Sequence, residues 1–202
     1  MTSTIYLLRH GQTEFNAERR LQGHCDSPLT ALGEEQAQAM GAALRDELGD
    51  ELRNGHDYAV LVSPLGRAQQ TARLVCQQLG IPTQRIQTDQ RLIEVSFGNW
   101  EKLNVLELHA EQPQLAKLDN WYFEAPNGEA YTDVVARIEH FLADPQLPNK
   151  MIIVAHGLLG RIFRGVYANM SAATMWSQDM PQDAFFKLRA GKIKRIECRL
   201  PA

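Results

Sequence analysis

Two histidines occupy matching places in this sequence. The apolar run Ile5-Tyr6-Leu7-Leu8 leads into Arg9-His10-Gly11, and Met151-Ile152-Ile153-Val154-Ala155 leads into His156-Gly157. Short apolar runs of β-forming residues read as buried strands, and Gly11 lets the chain turn sharply where the first one ends. Arg9 and His10 are therefore expected at the carboxyl end of a strand, where open α/β sheets bind their ligands. A guanidinium beside an imidazole suits a phosphate or carboxylate, with the histidine available as a nucleophile. Two strands that each deliver a histidine to one rim form a catalytic constellation.

The elements that must hold these groups follow from periodicity. Residues 30–52 read as a helix with Ala37, Met40, Leu44 and Leu48 on one face, and Tyr58 to Val62 as a strand. Ser63-Pro64 resembles an N-cap followed by a first helical residue. Leu65, Ala68, Ala72, Val75 and Leu79 carry the spacing of a helix packed on a sheet. Arg85 to Thr88 is a short strand, and residues 99–128 are irregular, with Trp100, Trp121, Tyr122 and Phe123 expected in core or lid packing. Glu129 to Leu142 and Leu158 to Val166 read as helices, and 184–188 with 193–198 as a terminal hairpin. Strands alternating with helices predict an α/β fold: a three-layer α/β/α sandwich on a mostly parallel sheet. Neither a repeat nor a linker interrupts the chain, so residues 1–202 are read as one domain.

Composition narrows the function classes. The chain has 202 residues, of which 44% are hydrophobic and 22% charged, with a net charge of −3. That charge offers no general attraction to nucleic acid or anionic membranes, so an anionic substrate must be drawn by a local positive pocket. Cys25, Cys76 and Cys198 are too few and too scattered for a disulfide framework or a zinc site. No membrane-length apolar stretch or secretory leader is present, and a cytoplasmic protein is expected. Phosphate-loop and zinc-helix motifs are missing. A cysteine phosphatase would need an arginine six residues after its nucleophile, where Cys25 is followed by Ala31 and Cys76 by Pro82. His24, His56, His109 and His140 form no ligand-like group and are read as surface or loop residues.

The residues Arg9-His10-Gly11, the distant His156-Gly157, SPLGRAQQTA around Arg67, RLIEVSFGNWE around Glu94 and the loop QGHCDSPLTALG together closely resemble the histidine phosphatase superfamily, also called phosphoglycerate-mutase-like. The resemblance runs from about residue 4 to about residue 170. It implies His10 as the nucleophile that becomes phosphohistidine, its ring held by a backbone carbonyl. Arg9 and Arg67 would grip phosphate oxygens by bidentate, charge-assisted hydrogen bonds. His156, expected to be cationic with phosphate bound, is a further donor. Asn16 is a phosphate donor, with Gln22 and Gly23 as weaker candidates. The family places its acid ahead of the Phe-Gly-x-Trp-Glu stretch, which selects Glu94 over Glu101 as general acid and base. Neither a metal nor a cofactor is called for, because arginines and a histidine supply the positive charge.

Within the family the sequence leans toward hydrolysis of a small-molecule phosphomonoester. The segment between Glu94 and His156 is short, and between Glu94 and Glu129 it offers only Lys102 and Lys117 for a substrate's second anionic group. Gln12-Thr13 with Phe15 also looks more like the phosphatase branch. Two departures bear on substrate choice: Lys102 follows Trp100-Glu101 where phosphatases often have glycine, and Ala130 follows Glu129 where they often have serine. The alternatives are a cofactor-dependent phosphoglycerate mutase and an inactive phospho-ligand-binding protein on the same fold.

Overall fold

The computed structural model describes residues 3–52 and 58–200; His56 lies outside them. The elements run β1 (Thr4–Arg9), α1 (Glu14–Ala17), α2 (Ala31–Leu48), β2 (Ala59–Val62), α3 (Gly66–Leu79), β3 (Ile86–Thr88), α4 (Val105–Glu111), α5 (Tyr131–Ala143), β4 (Lys150–Ala155), α6 (Gly157–Tyr167), α7 (Ala172–Trp176), β5 (Ala184–Arg189) and β6 (Lys192–Glu197). The six strands form one sheet in the order β3-β2-β4-β1-β5-β6. Strands β1 to β4 pair in parallel, and β5 and β6 add an antiparallel edge.

Alternation along the central strands builds the three layers. Ile5 and Leu7 join Met151 and Ile153 in the core beneath α5 and α6, with Val134, Ile138, Phe141, Ile162 and Phe163. Tyr6 and Leu8 turn the opposite way and join Ile152 and Val154 under α2 and α3, with Met40, Leu44, Ala72 and Val75. Both faces of β1 and β4 are thus covered, which is why these strands read as continuous apolar runs. No helix among the described residues is long and apolar enough to cross a membrane.

Three expectations are corrected. The helix after β2 begins at Gly66 rather than Pro64, and its N-cap residue is Leu65, without a side-chain cap. Asp26 supplies the missing acceptor from another loop, receiving the backbone N–H of Arg67 at 3.3 Å, while the Ser63 hydroxyl faces His156. Residues 99–128 contain an ordered helix, α4, capped by Asn104, whose side chain accepts from Leu106 N and Glu107 N. His109 belongs to that helix and packs edge-on against Trp121, with ring centroids 4.6 Å apart. It is half-buried packing, whereas His140 is exposed on α5.

Candidate active site

Strand pairing brings the two histidines together. In the parallel register Arg9 lies opposite Ala155, and His10 N donates to Ala155 O at 3.1 Å. The two rings, each 2% exposed, sit edge to face with centroids 5.2 Å apart. His10 Nδ1 pairs with its neighbour's carbonyl, Gly11 O, at 2.8 Å, and Arg67 Nε donates to His10 Nε2 at 3.3 Å. A guanidinium can only donate, so Nε2 carries the lone pair and Nδ1 the proton. Burial is the main cause that pushes the His10 pKa well below the ordinary imidazole value. Arg67 and Arg9 add to it, against a smaller opposing effect of the Gly11 hydrogen bond. The ring is therefore neutral at pH 7, with its free electron pair facing a cation.

Arg67 is the second residue of α3 and is 2% exposed. Its Nη1 donates to Cys25 O at 2.6 Å and to Asp26 Oδ1 at 3.1 Å, and its Nη2 donates to Gly23 O at 2.8 Å. The loop at residues 22–26 is thus wrapped around the guanidinium, which leaves fewer free donors for a bidentate phosphate grip than the motif suggests. Gly23 permits this wrapping. Its φ is +54°, and a Cβ there would meet Glu101 Oε1 at 2.3 Å. Glu101 accepts from His24 N, Cys25 Sγ, Phe97 N and Ser96 Oγ. Burial opposes its ionisation, but the His24, Cys25 and Phe97 hydrogen bonds prevail and hold its carboxyl below the ordinary value. Glu101 is a tie between two loops, and it does not line the cleft.

Glu94 does line it, together with Arg9, His10, Arg67, Asn16, Gln22 and Gly23. Its Oε1 accepts from Val95 N at 3.0 Å and Leu159 N at 2.9 Å, and its Oε2 from Leu158 N at 3.3 Å. The carboxyl group is seated on the amino end of α6, where it takes helix N–H groups that have no partner within the helix. Every residue the motifs singled out except His156 therefore borders one cleft of about 480 Å³, open mouth included. His156 stands just behind it against His10. Asn16 caps its own helix: Thr13 N donates to Asn16 Oδ1 at 3.2 Å, which fixes the amide orientation. Gln182 Nε2 donates to the same oxygen at 3.1 Å and to His10 O at 3.2 Å. The Asn16 amide nitrogen is left to serve the cleft. Gln22 is buried, with its Oε1 accepting from Ser27 Oγ at 3.3 Å.

Arg9 donates from Nη1 to Met180 O, and its Nε is buried without a partner. His156 likewise has a buried, unpartnered Nδ1, while its Nε2 lies 2.6 Å from Ser63 Oγ. Burial, then Arg67, His10 and Arg9, lower the His156 pKa well below its usual value. The ring is neutral in the protein alone, and a bound phosphate dianion is what would favour the cationic form expected above. Among the described residues, no group of three or more His, Cys, Asp or Glu is placed to hold a metal ion.

Three contributors escaped the sequence reading. Ser63 looked like a helix cap, because Ser-Pro before an amphipathic segment carries that signal. Gln182 comes from the loop before β5, and nothing in the local sequence marks it. His24 is exposed, yet its Nε2 hydrogen-bonds Glu94 O at 3.0 Å and links the 22–26 loop to the Glu94 segment.

The turn below His10 allows no side chain. A Cβ on Gly11 would lie 2.1 Å from Gly33 O, where β1 runs onto α2, and Gly11 N donates to Thr71 Oγ1 at 3.1 Å. Gly11→Ala is expected to destabilise the fold by at least about 1–3 kcal/mol, because backbone must move. Urea unfolding measures this, and an unchanged midpoint would contradict the close approach.

Residues 5–194 match the sequence profile of the histidine phosphatase superfamily, branch 1. The chain belongs to that superfamily. A relative from Enterobacter sp. (strain 638), described as a probable phosphoglycerate mutase GpmB, is 37% identical over 160 residues, covering 76% of this chain and 69% of the relative. Among solved structures, a putative α-ribazole-5′-phosphate phosphatase from Escherichia coli K-12 superposes with a TM-score of 0.77 at 28% identity, covering 98% of this chain and 97% of its own. The α-ribazole phosphatase of Shigella flexneri gives 0.73 at 29%, covering 98% and 95%. A mycobacterial glucosyl-3-phosphoglycerate phosphatase solved with VO3 gives 0.69 at 26%, covering 92% and 90%. As a histidine phosphatase superfamily member, the chain shares the mixed α/β fold of these neighbours, and the superfamily is one of phosphatases and mutases.

Proposed function

We propose that this histidine phosphatase superfamily member is a phosphatase that hydrolyses a small-molecule phosphomonoester through phosphohistidine at His10. In-line phosphoryl transfer needs a nucleophile, fixed positive donors and an acid at the leaving oxygen. His10 Nε2 attacks phosphorus; Arg9, Arg67, His156 and the Asn16 amide stabilise the transferring group. Glu94 protonates the departing alkoxide, then takes a proton from the water that cleaves the phosphohistidine. The three free cysteines suit a reducing cytosol, and the net charge of −3 gives no reason to expect a nucleic-acid or membrane partner.

The observation that carries hydrolysis over mutation is the lining of the cleft beyond the phosphate donors. It comprises Leu21, Phe97, Tyr122, Gly157, Leu158 and Met180, together with Arg20. Tyr122 is held there by stacking on Trp121, with ring centroids 4.1 Å apart. A further cation on the lining, Arg20, already donates to Glu18 and to Lys102 O. Lys102 and Lys117 are exposed and do not line the cleft. A phosphoglycerate carboxylate, or the second phosphate of a bisphosphoglycerate, would meet mostly apolar side chains there, with Arg20 already engaged by Glu18 and Lys102 O. The alternative, a phosphoglycerate mutase, draws on the description of a relative at 37% identity. A phosphate-release screen over a panel of phosphomonoesters decides between hydrolysis and a protein that only binds such ligands.

The same reading predicts metal independence. Arg9, Arg67 and His156 supply the positive charge, so dialysis against a chelator is expected to leave turnover unchanged within about 2-fold, where loss of a metal Lewis acid would cost several kcal/mol. Loss of activity restored by magnesium or zinc would contradict the mechanism.

A further inference from the structure

We infer that Ser63 is a positioning residue: its hydroxyl holds His156 in the Nδ1–H tautomer and so aims a hydrogen-bond donor at the transferring phosphoryl group. The inference rests on the phosphoryl-transfer reading above. It begins from a contact of Ser63, the first residue of the SPLGRAQQTA stretch around Arg67. Ser63 is 0% exposed and follows β2 directly, where Ser63 N donates to Val154 O at 3.1 Å and continues the β2–β4 pairing. That register carries its side chain to the ring of the residue two beyond Val154, and Ser63 Oγ lies 2.6 Å from His156 Nε2.

Counting protons gives the direction of this hydrogen bond. Leu65 N can only donate, and it donates to Ser63 Oγ at 3.3 Å, so the oxygen is an acceptor there. The one hydroxyl hydrogen remains, and His156 Nε2 is the acceptor in reach. The ring is neutral, as shown above, and holds a single proton. If Ser63 donates to Nε2, that proton sits on Nδ1, the buried atom with no protein partner. Nδ1 lacks a protein partner in either tautomer, but the opposite arrangement would also leave the hydroxyl hydrogen without one, at a further cost of about 1–3 kcal/mol.

The consequence concerns phosphate directly. An Nδ1 lone pair beside His10 would repel phosphate oxygens, whereas Nδ1–H donates to them. The relay Leu65 N–H to Ser63 Oγ–H to His156 Nε2 therefore makes the second histidine a donor before any charge is added. It resembles in kind the outer-shell hydrogen bonds that fix the tautomer of metal-binding histidines, whose loss costs about 10–100-fold. Because the donor is needed most as charge concentrates on the transferring oxygens, the effect should fall on kcat more than on KM.

The test uses the full chain, with Ser63→Ala and Ser63→Thr. Long-range ¹H–¹⁵N correlation spectra report histidine tautomers, and the His156 signals are assigned by their absence in His156→Gln. Wild type is expected to show the Nδ1–H form. Ser63→Ala should show a mixture or the Nε2–H form, with kcat for p-nitrophenyl phosphate lowered about 10–100-fold and an unchanged melting profile. Ser63→Thr, which keeps the hydroxyl, should retain the Nδ1–H form and recover most of the loss. An Nε2–H tautomer in wild type, or full kcat in Ser63→Ala, would overturn the inference. An Nδ1–H tautomer controlled by Ser63 in a protein that hydrolyses no phosphomonoester would instead refute the phosphatase reading and leave the relay standing.

Discussion

Replacing His10 by alanine is expected to lower phosphomonoester turnover by roughly 10⁴-fold or more, the scale on which loss of a covalent nucleophile acts. It should also abolish acid-labile, base-stable labelling of the protein by a phosphorylated substrate. The geometry behind this is a ring whose Nδ1 is tied to Gly11 O at 2.8 Å and whose Nε2 carries the reactive electron pair. Persistent labelling in the variant would move the nucleophile elsewhere.

The same ring sets the acid limit of activity. Protonation of His10 removes the nucleophile, and burial, reinforced by Arg67 and Arg9, lowers its pKa well below the usual value. The acid limb of kcat/KM for the free enzyme should therefore fall below about pH 6.5, the ordinary imidazole value, once the substrate's own ionisation is allowed for. Stability moves the other way. Unfolded histidines bind protons as pH drops through about 6.5, while the buried folded rings of His10 and His156 resist them. Stability present above that pH is therefore lost as pH falls toward the folded values. An acid limb of kcat/KM at or above pH 6.5 would show that His10 is not held neutral.

What could be read in advance divides along physical lines. The buried strands were legible because a parallel strand covered on both faces is apolar at every position, as in Ile5 to Leu8 and Met151 to Ala155. Helices α2, α3 and α5 were legible because each buries one stripe, and α6 because nearly its whole length is buried and small or apolar. Their ends were less so: Ser63-Pro64 carries the pattern of a helix start, but tertiary demand redirected Ser63 to His156. Helix α4 was missed because its short span buries only Leu108 and shows no stripe. In the site, the residues brought together by strand register followed from the motifs. Gln182 did not, and Ser63, although inside the SPLGRAQQTA motif, gave no sign of its partner, since a hydrogen bond between distant segments leaves no periodic trace. The family motif already selected Glu94 over Glu101 as the acid, but the part Glu101 plays, a tie between two loops, needed coordinates because its partners lie in a distant segment.

Glu94→Gln is expected to slow hydrolysis of alkyl phosphates by about 10²–10⁴-fold, the usual worth of a positioned acid and base. It should slow p-nitrophenyl phosphate much less, because p-nitrophenolate leaves with little need for a proton. The substitution is a clean one for a structural reason. Val95 N and Leu159 N both donate to Oε1, so the glutamine carbonyl oxygen takes that position. Only the longer Leu158 contact, at 3.3 Å, is exchanged for a donor facing a donor. Equal losses on both substrates would indicate that the variant had disturbed α6 rather than removed a proton donor. The second half-reaction then separates the family's two activities. With 3-phosphoglycerate and a bisphosphoglycerate primer, free phosphate should accumulate faster than 2-phosphoglycerate, because the cleft offers mostly apolar side chains, and an Arg20 already paired with Glu18, to hold a second anionic group and return the phosphoryl to it. Efficient interconversion with negligible phosphate release would make the protein a mutase. Tight binding of phosphate esters with turnover of none would make it a binding protein, and Glu94 would then be serving only as the cap of α6.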